Sequence, residues 1–261
     1  INIGGSPWST EAKIVVLASG RSETLYFCRG SSQGLINPGS PSKYRRITEP
    51  FLRSEGVNGL SFLNWTRSDQ DHAGSAPELA KHFKVVGTSG LSRQSEAEAD
   101  PSRRSGAEPD DVSWTNRLAK TAMGPVRFGE AKISLNDETA WNSIRLITPL
   151  NPVLDCELGS FEVIVLNTNR QQIGALPSRN VDVVVVPSQR QCSGPELIRK
   201  FRPQAILYLQ GKPARNQTSG DARVPIWFIG EKGAVTMVLS NKDLELSGYL
   251  GDRLILRSRS R

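Results

Sequence analysis

Within "NWTRSDQDHAGSAPEL", residues 64 to 79, the chain sets Asp69, Asp71 and His72 close together after an apolar run. Two carboxylates and an imidazole on one short turn are the donors with which a metal-dependent hydrolase holds an ion and acidifies a bound water. His72 is one of two histidines in the chain. Where such a motif needs its first histidine, the chain carries Arg67. A guanidinium stays cationic and has no lone pair to give, so it repels an ion rather than binding it. The other histidine, His82 in "ELAKHF", lies across a helical stretch and reads as a surface residue of that helix or of its end.

Many short β-branched runs surround this turn and must position it. They include "KIVVLA" (13 to 18), "TLYFC" (24 to 28), "GLSFLNW" (59 to 65), "FKVVGT" (83 to 88), "VRFGEAKISL" (126 to 135), "FEVIVLN" (161 to 167), "VDVVVVPS" (181 to 188), "AILYLQ" (205 to 210), "PIWFIG" (225 to 230), "AVTMVLS" (234 to 240) and "DRLILR" (252 to 257). Helical stretches fall between some of them: 42 to 56, 75 to 83 with Ser75 as N-cap and Pro77 in the first turn, and 193 to 201 with Ser193 and Pro195 in the same places. Strands mixed with a few helices predict layered sheets under outer helices. The unbroken run Val183 to Val186 predicts a strand buried on both faces.

The chain has 261 residues, enough for a sizeable core, with 37% hydrophobic and 23% charged residues. No apolar run approaches the ~18 residues that cross a bilayer. Residues 1 to 12 read as a linker left when a domain is cut from a longer protein, and 258 to 261 as a basic tail. The intervening 13 to 257 read as one domain with a flexible insertion at about 89 to 113, rich in Ser, Gly, Pro and charge. The cysteines, Cys28, Cys156 and Cys192, are odd in number and without a CxxC pair, which argues against a disulfide framework. Net charge is +7. The excess collects in "KYRR" (43 to 46), "LIRKFR" (197 to 202) and "RLILRSRSR" (253 to 261), either as a solvated basic face and a frayed tail or as a surface for phosphate or anionic lipid.

The order of these pieces resembles a metallo-β-lactamase fold, and more narrowly the C-terminal domain of the ComEC family, membrane proteins of bacterial DNA uptake. The family's "FLDVGQGDAILI" is similar to "VVLASGRSETLYF" (15 to 27), its "VDTGG" to "INPGS" (36 to 40), and its "LRSRGI" to "LRSEGV" (52 to 57). The metal motif "THPDADHIGG" is similar to "TRSDQDHAGS" (66 to 75). Later, "VLRLEYGGFSVLLTGD" resembles "VLDCELGSFEVIVLNT" (153 to 168), and the family's "VGHHGS…SPELL…RP" segment resembles "VPSQRQCSGPELIRKFRP" (186 to 203). The resemblance implies an α/β fold: a metallo-β-lactamase-type αββα sandwich, two mixed sheets with outer helices.

The same resemblance implies that most ligands are gone. Asn37, Arg67, Thr168, Ser188 and Gln189 stand at positions where the family has an aspartate or a histidine. Asp69, Asp71 and His72 remain, with Asp71 and His72 as vestigial catalytic candidates, so no metal and no small-molecule cofactor is expected. Arg67 is expected to replace the ion and pair with Asp69 or Asp71. The chain contains no GxSxG elbow, Walker loop or HExxH motif, and Ser188 or Cys192 as nucleophile would have only His72 as base.

The expectation is a non-catalytic module that contacts DNA without sequence preference, or orders a channel formed by the membrane domain of the same polypeptide. The implied location is the extracytoplasmic side of a bacterial inner membrane. Arg67, Arg190, Arg199, Lys200 and Arg202 are the candidate phosphate contacts. The competing readings are a divergent phosphodiesterase or nuclease holding one Mn or Zn on Asp69, Asp71 and His72, and a fold reused for protein contacts through the "KYRR" and "LIRKFR" segments.

Overall fold

A computed structural model describes residues 12–19, 22–66, 69–86, 88–90, 131–133, 141–147, 153–166, 173–174, 176–190, 192–211, 224–240 and 243–259. The chain opens with a meander, β1 (Ala12–Ser19), β2 (Ser22–Arg29) and β3 (Ser32–Ile36). A helical segment follows: α1 (Pro41–Lys43), a π-helical turn (Tyr44–Thr48) and α2 (Glu49–Ser54). Next come β4 (Gly59–Leu60), β5 (Phe62–Trp65), α3 (Gln70–Ala73), α4 (Ala76–His82), β6 (Lys84–Val85) and β7 (Thr88–Gly90). The second half has β8 (Ala131–Ile133), β9 (Trp141–Ile147), β10 (Val153–Leu158), β11 (Phe161–Leu166), β12 (Val183–Ser188), α5 (Gly194–Phe201), β13 (Ala205–Gln210) and β14 (Ile226–Phe228). It ends with α6 (Ile229–Lys232), β15 (Ala234–Ser240), β16 (Asp243–Gly248) and β17 (Arg253–Arg257).

The strands form two large mixed sheets. One runs β17-β16-β15-β1-β2-β3-β5-β7, the other β14-β13-β12-β11-β10-β9-β8, and β4 pairs with β6 apart from both. Side chains alternate between faces along each strand. Ile14 and Val16 of β1, Leu25 and Phe27 of β2, and Val183 and Val185 of β12 therefore share one buried layer between the sheets. Val15, Leu17 and Tyr26 face the other way and pack with Leu52, Ala73, Ala76 and Leu79 of the first helices. Val184 and Val186 face outward from the second sheet and pack with Leu197 and Phe201 of α5. The layers are thus helix, sheet, sheet, helix: an α/β sandwich of the metallo-β-lactamase type. The run Val183 to Val186 is fully buried, as its lack of polar alternation predicts, because β12 lies between two parallel neighbours.

Several expectations need correction. The single strand expected over 59 to 65 is two: Gly59 and Leu60 pair with β6, whereas from Ser61, whose N–H donates to the Gln33 carbonyl of β3 (2.7 Å), the chain runs beside β3 as β5. The run 83 to 88 divides likewise into β6 and β7. β3, β9, β10 and β16 form strands that periodicity did not single out. Ser75 and Ser193 occupy the N-cap positions of α4 and α5, yet neither side chain caps its helix. The Ser75 hydroxyl is buried without a hydrogen-bond partner. Most of the expected insertion at 89 to 113 lies outside the described residues.

Polar residues also join the second sheet to its connections. Arg179 reaches Asp155 (2.8 Å) and Glu162 (2.9 Å), carboxylates on the neighbouring strands β10 and β11. Asp182 accepts from the Glu162 N–H (2.8 Å) and from the Gln204 amide (2.7 Å), tying the starts of β11, β12 and β13 together. Replacing Arg179 by alanine leaves two largely buried carboxylates facing each other without their cation. The expected loss, discounted for the partial exposure of Arg179, is about 2 kcal/mol in urea unfolding at neutral pH. Arg179→Lys should recover only part of it, because an ammonium cannot bridge two carboxylates as a planar fork does.

Candidate functional site

The two sheets point the ends of their parallel strands toward one edge of the sandwich. The β10–β11 turn at Gly159 packs on Leu239, which pairs with Ala12 at the start of β1. Gln204, just before β13, donates to the Arg257 carbonyl (3.0 Å), and Arg257 belongs to that same end of the first sheet. The starts of β11 and β13 therefore lie over the start of β1. Their far ends lie over the edge where β1 ends, β2 begins and β3 and β5 end. Such carboxyl ends are where open α/β sheets hold ligands. Ser188, which pairs in register with Gln210, and Gln189 thus come to the edge that also carries Asn37, Thr66, Asp69 and His72.

Asn37 is the centre of this edge. It follows β3 with φ of 55°, the left-handed region that asparagine tolerates better than most side chains. Its N–H donates to the Asn64 carbonyl (2.9 Å), and its carbonyl accepts from the Thr24 hydroxyl (2.7 Å). Its side-chain oxygen accepts from the Thr66 N–H (2.8 Å) and the Thr66 hydroxyl (3.1 Å). A backbone N–H can only donate, so Oδ1 must face Thr66 and the amide nitrogen must face the other way. There Nδ2 donates to Glu23 Oε1 at 2.7 Å.

Glu23 is 1% exposed, and its second oxygen, Oε2, has no hydrogen-bond partner. Burial pushes its carboxyl above the usual range. The charge of His72 and the Asn37 amide pull it back, while Asp69 pushes it further up. Glu23, His72 and Asp69 are therefore within electrostatic reach of one another. The sequence reading missed Glu23: it takes the strand from Thr24, whereas β2 begins at Ser22 and carries Ser22, Glu23 and Thr24 inside. The available signal was the polar triplet Ser-Glu-Thr directly preceding an apolar run.

Asp69 and His72 are occupied with each other. Asp69 is the N-cap of α3, and its Oδ1 accepts both the His72 N–H (3.1 Å) and His72 Nδ1 (2.5 Å). His72 is 5% exposed, whereas Asp71 lies exposed on the surface. The α3 turn is pinned by the Ser22 hydroxyl on the Asp71 carbonyl (2.7 Å) and by the Gly39 N–H on the His72 carbonyl (3.2 Å). Among the described residues no group of three or more His, Cys, Asp or Glu is placed to hold a metal ion. The described donors thus do not fit a two-ion centre. Arg67 and Thr168, and with them the expected pairing of Arg67, lie outside the described residues.

The remaining candidates scatter. Arg190 is exposed in the turn after β12, at the site edge. Arg199, Lys200 and Arg202 lie at the far end of α5, which runs back to the start of β13, so the candidate phosphate contacts do not form one group. His82 is exposed, close to Glu49 (3.1 Å) and the Tyr44 hydroxyl (3.4 Å), on the outer helices. In the "KYRR" segment Tyr44 is buried and Arg45 pairs with Glu78 (2.6 Å). Cys192 is buried, and burial raises its thiol to about 12, which suits packing rather than nucleophilic attack.

Two outcomes follow from the Asn37–Glu23 contact. Asn37→Asp puts a second carboxylate 2.7 Å from a buried one and should cost about 2 kcal/mol or more at pH 7. Adding Glu23→Gln should restore most of that loss, a coupling that a double-mutant cycle in urea reads directly. Glu23→Gln alone tests the titration. A carboxyl raised above its unfolded value of 4.5 gives stability that is complete below that pH and declines as pH rises through the folded value. The Gln variant should therefore be more stable than the parent at neutral pH, by about 1 kcal/mol, with the advantage vanishing below the unfolded value. Parallel pH profiles for the two proteins would contradict this.

No protein-family model matches the chain, and no curated protein matches it. Among the solved structures similar to the chain at low identity are two metallo-β-lactamase-type proteins. One is a diphosphatase from the PhnP family, 12% identical, with 95% of this chain and 98% of that one covered and a TM-score of 0.46. The other is the metallo-beta-lactamase fold protein YhfI from Bacillus subtilis, 10% identical, with 83% of this chain and 96% of that one covered and a TM-score of 0.43. Neither value bears on activity. The α/β, metallo-β-lactamase-type assignment stands on the strand order and the four layers themselves.

Proposed function

We propose that this chain is a non-catalytic metallo-β-lactamase-fold domain of a ComEC-like DNA-uptake membrane protein, acting as a DNA-contacting or structural module. One observation carries the reading: of the three surviving ligand-type side chains, Asp69 and His72 are engaged with each other, and Asp71 lies exposed on the surface. Asp69 caps α3 and holds His72, and the amide of Asn37 faces Glu23, where a carboxylate would be repelled. These contacts tie the edge together through the protein's own groups. A net charge of +7 supports contact with a polyanion through phosphates rather than bases.

In this proposal the domain works beside the channel domain of the same polypeptide, on the extracytoplasmic side of a bacterial inner membrane. Among the described residues no helix is long and apolar enough to cross a membrane. The competing reading keeps one Mn or Zn on Asp69, Asp71 and His72 for phosphodiester cleavage.

Elemental analysis of protein purified without chelator, followed by a nuclease assay in Mn, separates the two. The expected result is metal far below one ion per chain and no cleavage, with Asp71→Ala indistinguishable from the parent. A stoichiometric ion, with cleavage abolished by Asp71→Ala, would establish the enzyme instead. DNA affinity should fall steeply with salt and be insensitive to sequence.

A further inference from the structure

The pole of the sandwich opposite the candidate site is basic, and its charges come from both halves of the chain. Arg199 and Lys200 sit in the last turn of α5, and Arg202 is its C-cap. Arg257 ends β17, the edge strand of the other sheet, and Arg259 follows it. Two hydrogen bonds bring the groups together. Gln204, two residues after Arg202, donates to the Arg257 carbonyl (3.0 Å), and Arg259 Nη1 donates to the Arg202 carbonyl (2.8 Å). Arg199, Arg202, Arg257 and Arg259 are all exposed.

None of these four arginines makes an ion pair among the described residues. This sets them apart from Arg45, Arg53, Arg179 and Arg253, each of which holds a carboxylate. Asp243 is in register with Arg257 across the β16–β17 pair, yet it forms no ion pair with it. A simpler explanation covers part of the cluster: cations in a last turn complement the helix dipole, and Lys200 spends its ammonium on the Gly174 carbonyl (2.7 Å). That explanation does not extend to Arg257 and Arg259, which belong to a strand edge of the other sheet.

The conformation of Arg202 adds a second observation. It adopts φ 43° and ψ 49°, the left-handed C-cap geometry in which glycine is the common and least strained residue. The fold alone would favour glycine there, yet the chain keeps an exposed guanidinium at the junction of α5 and β13. Strain of this kind is tolerated where a side chain is needed.

We propose that this pole holds the phosphodiester backbone of DNA, with Arg199, Arg202, Arg257 and Arg259 as the phosphate contacts. Four planar, permanently charged forks, two from the end of α5 and two from the end of β17 and the residues after it, suit a polymer of repeated phosphates, which a guanidinium can grip through two N–H donors. The proposal rests on the DNA-contacting reading above and locates it. DNA lies on the pole where the strands of the second sheet begin, away from the edge with Asn37 and His72. Arg190, at that edge, takes no part.

The test is titration of the 261-residue chain with a fluorescent mixed-sequence duplex over a range of salt. Combined Arg199→Ala, Arg257→Ala and Arg259→Ala should weaken binding at least about tenfold near physiological salt. The same change should lower the slope of log affinity against log salt by about 2 to 3. Arg202→Gly should weaken binding about twofold or more while its thermal midpoint stays level or rises, a combination that misfolding cannot produce. Arg190→Ala should bind as the parent does. If the parent binds duplex and the pole variants bind equally well, this location is wrong while the DNA reading survives. If the parent binds no duplex, both fail. If the pole variants lose only their affinity for phosphatidylglycerol vesicles, the surface faces a membrane and the proposal is overturned.

Discussion

The contact on which the candidate site depends is the hydrogen bond from the Asn37 amide to Glu23. A carboxylate buried to 1% exposure needs donors, because the low dielectric around it penalises every unsatisfied charge. Asn37 supplies one with its amide nitrogen and uses its other polar groups to hold Thr24, Asn64 and Thr66. One side chain and its peptide thus tie the start of β2, the end of β3 and the end of β5 into one edge. An aspartate would keep the backbone geometry and the acceptors but lose the donor. The exchange of one nitrogen for one oxygen decides whether Glu23 can be buried there.

Around that hub the described polar side chains of the edge hydrogen-bond to one another and to the backbone. Asp69 caps the start of α3 and hydrogen-bonds the ring of His72. The hydroxyls of Ser22, Thr24 and Thr66 add neutral hydrogen bonds to the Asp71 carbonyl, the Asn37 carbonyl and the Asn37 side chain. Glu23 is the group in tension. Its second oxygen is buried without a partner, and the neighbouring charges act on it in opposite directions.

The rest of the molecule holds this edge by burying apolar surface in three layers. Alternating side chains of β1, β2 and β12 divide themselves between the inter-sheet layer and the helix-facing layers, so each sheet is fixed from both sides. Charge is distributed along the sandwich in a corresponding way. Paired carboxylates and arginines, as in the Arg179 bridge, secure the strands. Among the described residues, Arg199, Arg202, Arg257 and Arg259 make no ion pair and lie at the end opposite Asn37.

What the sequence determined by itself was what depends on local pattern. The apolar run Val183 to Val186 required burial on both faces, and the Ser-Gly-Pro start of α5 and the Ser-Ala-Pro start of α4 marked helix beginnings, even though the serine hydroxyls do not cap. The "DQDH" turn marked the candidate site, and the pattern of framework residues marked the layered α/β fold. Tertiary structure decided what depends on partners distant in the chain. The burial of Glu23 follows only once β2 lies between β1 and β3 and Asn37 turns its amide inward. The Arg202–Arg259 contact spans 57 residues and two sheets. The division of 59 to 65 into two strands depends on two distant partners, β6 for Gly59 and Leu60 and Gln33 of β3 for the Ser61 N–H. Periodicity reports which face of an element is apolar; it carries no record of which polar atoms meet when the sheets close, and those meetings set the character of this site.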